Sequence, residues 1–298
     1  MKKFDVVGVG YCNVDYLGIV SRYPRIDEKV RLQDFVRQGG GVTATAMAAV
    51  GRLGGRARLI TKVGDDDFGT FSINELVKDG VDVDRVLIEP GKVSQFSFIA
   101  VSKRSGKRTI FWSPSDIQMS AEEIQRDDIL DAKVLHVDAH HPKAALQAAF
   151  WAQEAGIPVV IDAGTLRDGS IEIAEHASHL ITSRLFAKQY TGTDDPEDSV
   201  RSMLAGRQLA AVTLGKNGCV YTTFDGIFHQ PAFKVKVVDT TGAGDVFHGA
   251  FSFGLSEGWD VHRIITFASA VAALKCTKLG GRAGIPTFSE VSAFLNWV

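Results

Sequence analysis

Short runs of β-branched and other apolar residues recur along this chain at 4–9, 57–63, 133–137, 157–161, 179–182 and 209–214. Most are separated by helical patterns, such as those at 68–78, 143–155 and 196–205. Strands so nearly continuous in apolar character suit a parallel sheet buried on both faces. Alternating β and α units then call for crossover helices on both sides, which is a doubly wound α/β architecture. The 298 residues, 45% apolar, contain no repeat, low-complexity tract or long linker, so one cooperative unit over 1–298 is expected.

Two stretches break the rhythm, at about 11–38 and 92–112. In the second, residues 93–99 and 108–112 flank a Lys-Arg-Ser-Gly-Lys turn in the manner of a β-hairpin. Together the two stretches are expected to form one small sheet that projects as a lid. Its aromatic residues need a cover, either a bound substrate or the same sheet of a second subunit, which predicts a homodimer through the lid.

Charge and cysteine content narrow the function classes. Lys and Arg total 33 against 35 Asp and Glu, so the basic footprint of a general nucleic-acid binder is missing. Cys12, Cys219 and Cys276 form no CxxC pair, which argues against a disulfide framework or a thiolate zinc site and fits a reducing cytosol. Asp5 and nearby glycines interrupt the N-terminal apolar stretch, and no run approaches a membrane span. A cytoplasmic protein with no membrane partner is the expectation.

The most informative segment is Asp239-Thr240-Thr241-Gly242-Ala243-Gly244-Asp245. It lies between an alternating stretch and a helical pattern at 243–257. Gly242, Ala243 and Gly244 let backbone amides converge at a helix N-terminus, where the macrodipole favours an anion. Asp245 would sit beside that anion and could take a proton from a hydroxyl that attacks a phosphoryl group. An Asp in a first helical turn can also be a simple cap; the flanking glycines and the Asp-Thr-Thr favour the chemical role. No Gly-Lys-[Ser/Thr] occurs, so this is not a Walker A loop. Gly8-x-Gly10 lacks the third glycine of a dinucleotide fingerprint.

Other candidates are weaker. Asp15, two residues after Asn13, could accept hydrogen bonds from adjacent sugar hydroxyls, or the pair could form a turn. His136, Asp138 and His140 alternate at a strand end, where substrate contact is favoured over a metal site. Lys103, Arg104, Lys107 and Arg108 could meet an anion or form a solvated turn. Residues 218–224 and 233–238 read as antiparallel strands, and the small residues of a second helix at 261–278 permit close packing against a core or a flat ligand.

Asp239–Asp245 and the glycine-rich Gly39-Gly40-Gly41-Val42-Thr43-Ala44-Thr45 resemble the signatures of the PfkB (ribokinase-like) carbohydrate kinases, and the likeness spans essentially the whole chain. It implies a ribokinase-like three-layer αβα sandwich with a mainly parallel sheet and a β lid. It implies ATP and Mg2+ as cofactors, with Asp245 as base and Gly242, Ala243 and Gly244 as anion hole. Sugar contacts would come from Asn13, Asp15, Gly40, Gly41, Thr45, Gln95, Trp112 and His140. ATP contacts would come from Thr213, Gly215, Gly218, Ala272 and Gly281. Asp239 and Thr241 resemble the monovalent-cation loop of some relatives, which implies K+. Thr45 stands where many relatives carry Asn, and Ser183-Arg184-Leu185-Phe186 replaces an Asn-x-x-Glu motif linked to Mg2+.

Within the family, Val246-Phe247-His248-Gly249-Ala250 and Ala272-Ala273-Leu274-Lys275-Cys276-Thr277 are similar to stretches of sulfofructose kinases. The implied activity is phosphorylation of a hydroxyl, a primary one, on a ketose or a derivative such as sulfofructose. Fructokinase or ketohexokinase, ribokinase and 2-keto-3-deoxygluconate kinase activities are the alternatives, and a non-catalytic sugar or nucleotide sensor is the alternative of another class.

Overall fold

In the computed structural model, which describes residues 2–297, every residue of the central strand β1 (Phe4–Val9) is buried. The chain then forms β2 (Asn13–Val20), β3 (Asp34–Gly40), α1 (Val42–Arg52), β4 (Ala57–Gly64), α2 (Asp67–Lys78), β5 (Val81–Asp82) and β6 (Val86–Glu89). It continues through β7 (Phe96–Ser102), β8 (Arg108–Ser113), α3 (Arg126–Leu130), β9 (Ala132–Val137), α4 (Pro142–Glu154), β10 (Val159–Ala163) and α5 (Ser170–Glu175). The remainder comprises β11 (His179–Ser183), α6 (Arg184–Thr191), α7 (Pro196–Met203), β12 (Leu209–Thr213), β13 (Cys219–Thr223), β14 (Gly226–Gln230), α8 (Ala243–Ser256), α9 (Val261–Lys275) and α10 (Phe288–Leu295).

The large sheet runs β14-β13-β12-β11-β10-β9-β1-β4-β5, with β6 also on β4, and is parallel except for β13 and β14. Alternate residues feed two cores. Val6 and Val134 join the helices α1, α8 and α9, whereas Val7 and Leu135 pack on the α4 side. Two-sided burial is the reason these strands read as nearly continuous apolar runs. The order reverses between β9 and β1, and in such sheets the crevice at the carboxyl ends of the strands flanking the reversal is where ligands bind.

A second, smaller sheet, β3-β2-β7-β8, is built from the two stretches expected to form a lid, with β2 and β7 parallel and the outer pairs antiparallel. Its own small core is Leu17, Ile99 and Val101. Phe35, Ile110, Phe111 and Trp112 remain exposed. No helix among the described residues is long and apolar enough to cross a membrane.

Two sequence expectations need correction. Residues 233–238 form no strand; the tight turn at Phe224 and Asp225 pairs Thr223 with Gly226, so the partner strand is β14, immediately after the turn. The run expected at 157–161 is shifted to Val159–Ala163, because Pro158 has no amide for the ladder and Ile157 N closes the end of α4 on Ala152 O.

Candidate active site

A cavity of about 540 Å³ lies at the carboxyl ends of the strands from β9 to β12, with lid residues from β2, β7 and β8 as its facing wall. Asp15, on β2, is 7% exposed and accepts a hydrogen bond from Asn13 Nδ2 at 2.9 Å. The same Nδ2 reaches Ser97 Oγ at 2.9 Å, which ties β2 to β7. Asn13 Oδ1 is buried with no partner, so an acceptor is left beside the cavity. Gly40 makes this approach possible, since a Cβ there would fall 2.2 Å from Asp15 Oδ2. Burial pushes the Asp15 carboxyl up to about 6, against the lowering effect of the Asn13 hydrogen bond.

At the far wall, Trp112 Nε1 donates to Tyr11 Oη at 2.8 Å, and Tyr11 stacks on His140 with ring centroids 4.2 Å apart. Asp138 organises this wall. Its Oδ2 accepts from Tyr11 N (2.8 Å) and Thr43 Oγ1 (2.7 Å), and its Oδ1 from His140 N (2.9 Å). Burial works against the carboxylate, but the charge and hydrogen bonds of His140 with the Tyr11 and Thr43 donors hold it well below the usual range. A Cβ on Gly10 would strike both Thr43 Oγ1 and Asp138 Oδ2, so Gly10 serves this junction. Arg167 places its guanidinium 5.6 Å from the Trp112 ring and lines the cavity with Arg108.

The opposite end is built on α8. Its N-cap is Gly242, at φ +73° and with no side-chain cap, whereas Asp66, Asp195 and Asp260 cap α2, α7 and α9. A Cβ on Gly242 would meet Gly281 Cα at 2.9 Å, so both φ and space demand glycine here. The first-turn amides of α8 are therefore left for an anion at the positive end of the helix dipole. Asp245 lines the cavity from the first turn, and its carboxyl is pushed up to about 7 by burial and then by the charge of Asp162. Asp162, 8% exposed at the end of β10, is also pushed up to about 7 by burial, then by Asp138.

The family model that matches residues 3–288 is that of the pfkB family carbohydrate kinases. This chain belongs to that family. Fructokinase-1 of Zea mays is 32% identical over 313 residues, covering 96% of each chain. An ATP-dependent ribose-1-phosphate kinase of Halopiger xanaduensis is 30% identical over 301 residues, covering 98% of each. A crystal structure from Agrobacterium tumefaciens, 31% identical, superposes with a TM-score of 0.92 over 98% of this chain and 97% of its own. The chain is a sugar kinase of this family, a phosphotransferase with an alcohol group as acceptor, and its fold is the ribokinase-like α/β fold.

In this pfkB-family kinase, several residues singled out from the sequence stand away from the cavity. Thr45 is buried under Arg282, whose Nε approaches its hydroxyl at 3.4 Å, and Gln95 is buried with its amide on the Cys12 carbonyl. Ala272 packs on the α8–α9 core, Gly281 abuts Gly242, and Gly218 lies against the Gln230 carbonyl of its own hairpin. Gly215 starts an exposed turn beyond β12, while Thr213 lines the cavity. His136 is turned into the core, with Nδ1 3.1 Å from Ser252 Oγ, and no group of three or more His, Cys, Asp or Glu among the described residues could hold a metal.

The sequence reading missed Tyr11, Asp162, Arg167 and His248, all on the cavity wall. Asp162 carried a usable signal, an acidic residue just past an apolar run, where the carboxyl ends of parallel strands meet ligands. Arg167 sits in a loop with no motif, and only the path of that loop brings it to Trp112.

Proposed function

We propose that this chain uses MgATP to phosphorylate a hydroxyl, a primary one, of a ketose or ketose derivative, with an anionic ketose such as sulfofructose as the favoured class. The observation that carries the reading is Asp245 in the first turn of the uncapped helix α8, in one cavity with Asp15. Asp15 and the unpartnered Asn13 Oδ1 accept from sugar hydroxyls, and Gly41, Trp112 and His140 complete the sugar wall. Asp245 takes the proton of the attacking hydroxyl as that oxygen bonds to the γ-phosphorus and the bond to the ADP oxygen breaks. Amides of Gly242, Ala243 and Gly244 stabilise the charge that develops. Thr213 sits at the nucleotide end.

Arg167 and His140 at the Trp112 wall, with Arg108 across the cavity beside Thr240, favour a substrate that carries negative charge. Free fructose and ribose are the neutral alternatives, and 2-keto-3-deoxygluconate, which carries a carboxylate, is a further anionic one. Mg2+ supplies neutralisation of the transferring phosphoryl group when bound with ATP. The residues fit it: Asp162 Oδ2 is buried and without a hydrogen bond, an oxygen donor of the kind a hard cation takes. Asp162 would hold its water shell. Ser183 is spent on capping α6 and on the Gly164 carbonyl, and Phe186, where a relative's Glu would stand, is buried in the core.

The exposed Phe35, Ile110 and Phe111 support a homodimer through the lid. Cys12, Cys219 and Cys276 are free thiols, in keeping with the cytoplasm. The deciding experiment is ADP release with MgATP over fructose, tagatose, ribose, fructose phosphates, sulfofructose, 2-keto-3-deoxygluconate and adenosine, each beside Asp245→Asn. Turnover of an anionic ketose by the wild type alone is the expected result. A neutral winner removes the anion preference, and ligand binding without any turnover leaves a sensor.

A further inference from the structure

The turn that carries the anion hole rests on a buried amine. Lys275, the last residue of α9, is 0% exposed, and its ammonium donates to the Asp239 carbonyl at 3.1 Å. Lysine is almost never buried to this degree without a task, because a charge taken out of water costs several kcal/mol unless it is paired. It follows a row of small residues, Ala268, Ala270, Ala272 and Ala273, and sends a long flexible side chain under the turn.

Asp239 is 0% exposed as well; burial disfavours the Lys275 ammonium, and the negative charge of Asp239 favours it. Its Oδ1 accepts from Thr241 N at 2.8 Å and Thr241 Oγ1 at 2.7 Å, and its Oδ2 from Gly280 N at 2.8 Å. The Cys276 carbonyl meanwhile accepts from the amides of Val238 and Asp239. Two turns, one leading into α8 and one leaving α9, are thereby locked together around an ammonium and a carboxylate.

A monovalent cation at Asp239 and Thr241 does not fit this arrangement. Both carboxylate oxygens of Asp239 already receive protein donors, and its carbonyl receives Lys275. The cation expected from the sequence is replaced by a residue of the chain.

We propose that the Lys275 ammonium is a covalently built-in monovalent cation that fixes the Asp239–Asp245 turn, so that nucleotide binding and turnover need no K+. The positive charge lies behind the helix terminus that takes the phosphate, where it adds to the dipole rather than opposing it. Lys275 is a positioning residue: it acts through the Asp239 carbonyl and does not touch substrate. The inference rests on the kinase reading only for the identity of the anion at α8.

The test compares wild type, Lys275→Ala and Lys275→Met, each in the chloride salt of K+ and of tetramethylammonium, by thermal unfolding and by ATP affinity measured calorimetrically. Wild type should show the same Tm and ATP Kd in both salts. Lys275→Ala, which opens a space beside the Asp239 carbonyl, should lose ATP affinity by roughly tenfold in tetramethylammonium and regain most of it in K+, in line with removal of one charged hydrogen bond. Lys275→Met, with the space filled, should lose the same affinity and regain none.

A wild type whose Kd or Tm shifts several-fold or by several degrees toward tighter, more stable values in K+ overturns the proposal, and this arm stands even if both variants fail to fold. Equal, salt-independent loss in both variants also overturns it, since that is the pattern of packing alone. A wild type that binds no ATP would remove the kinase reading, while the salt dependence of its Tm would still decide the role of Lys275.

Discussion

His248 Nδ1 lies 3.1 Å from an Asp162 carboxylate oxygen yet donates to the Gly244 carbonyl at 2.8 Å, the residue just before Asp245. That division leaves Asp162 Oδ2 buried without a hydrogen bond. Its charge is the second cause, after burial, of the raised Asp245 carboxyl. Asp162→Asn should therefore lower the Asp245 pKa and move the acidic limb of kcat/KM, which for wild type should fall as pH drops through about 7, to lower pH. The Mg2+ concentration for half-maximal rate should rise at the same time. An unmoved acidic limb would separate Asp162 from the base.

The same carboxyl sets a stability trend. Asp162 has its folded pKa raised from 3.8 to about 7, so its contribution is fully present below the unfolded value and is lost as pH rises through the folded one. Asp162→Asn should then raise the Tm by several degrees at about pH 8 and leave it nearly unchanged at about pH 4, read by thermal denaturation without ligands.

Asp15→Ala should raise the sugar KM far more than the ATP KM, since Asp15 stands on the lid strand β2, away from the α8 terminus. The loss should be about tenfold or more, as expected when a charged acceptor is removed from ligand hydroxyls. Steady-state kinetics with each substrate varied in turn checks it; equal changes in both constants would remove the assigned role.

Gly242→Ala meets two obstacles at once, φ of +73° and Gly281 Cα at 2.9 Å. The expected cost is about 2 kcal/mol or more in denaturant unfolding, with a weakened affinity for ATP. Gly244→Ala, at a helical position with nothing within 4 Å of a Cβ, should leave stability close to wild type and serves as the control.

The lid makes a separate prediction. Phe111→Asp on β8 should yield a monomer by sedimentation or light scattering if the exposed Phe35, Ile110 and Phe111 form the dimer face. A wild type that is already monomeric would end that assignment.

Local pattern was enough for much of this protein. The strands β1, β4, β9, β11 and β12 are legible because two-sided burial keeps them rich in apolar residues, with only a few polar ones such as Asp5, Arg58 and Lys62, and the Gly-Ala-Gly-Asp turn is legible because Gly242 needs glycine for its backbone. What sequence spacing could not reach are relations between residues far apart in the chain. Trp112 meets Tyr11 and Arg167, Asn13 meets Ser97, and Lys275 meets Asp239, all through loops and a sheet register that hydrophobic periodicity does not encode. Thr45 and Gln95 show the converse, since residues on the right segment were turned away by Arg282 and by the Cys12 carbonyl. The layers, the glycine-rich turn at the start of α8 and the acidic group within it follow from local residue order. Which side chains converge on the cavity, and which ammonium lies beneath it, follows from packing between elements, a property of no single element's residue order.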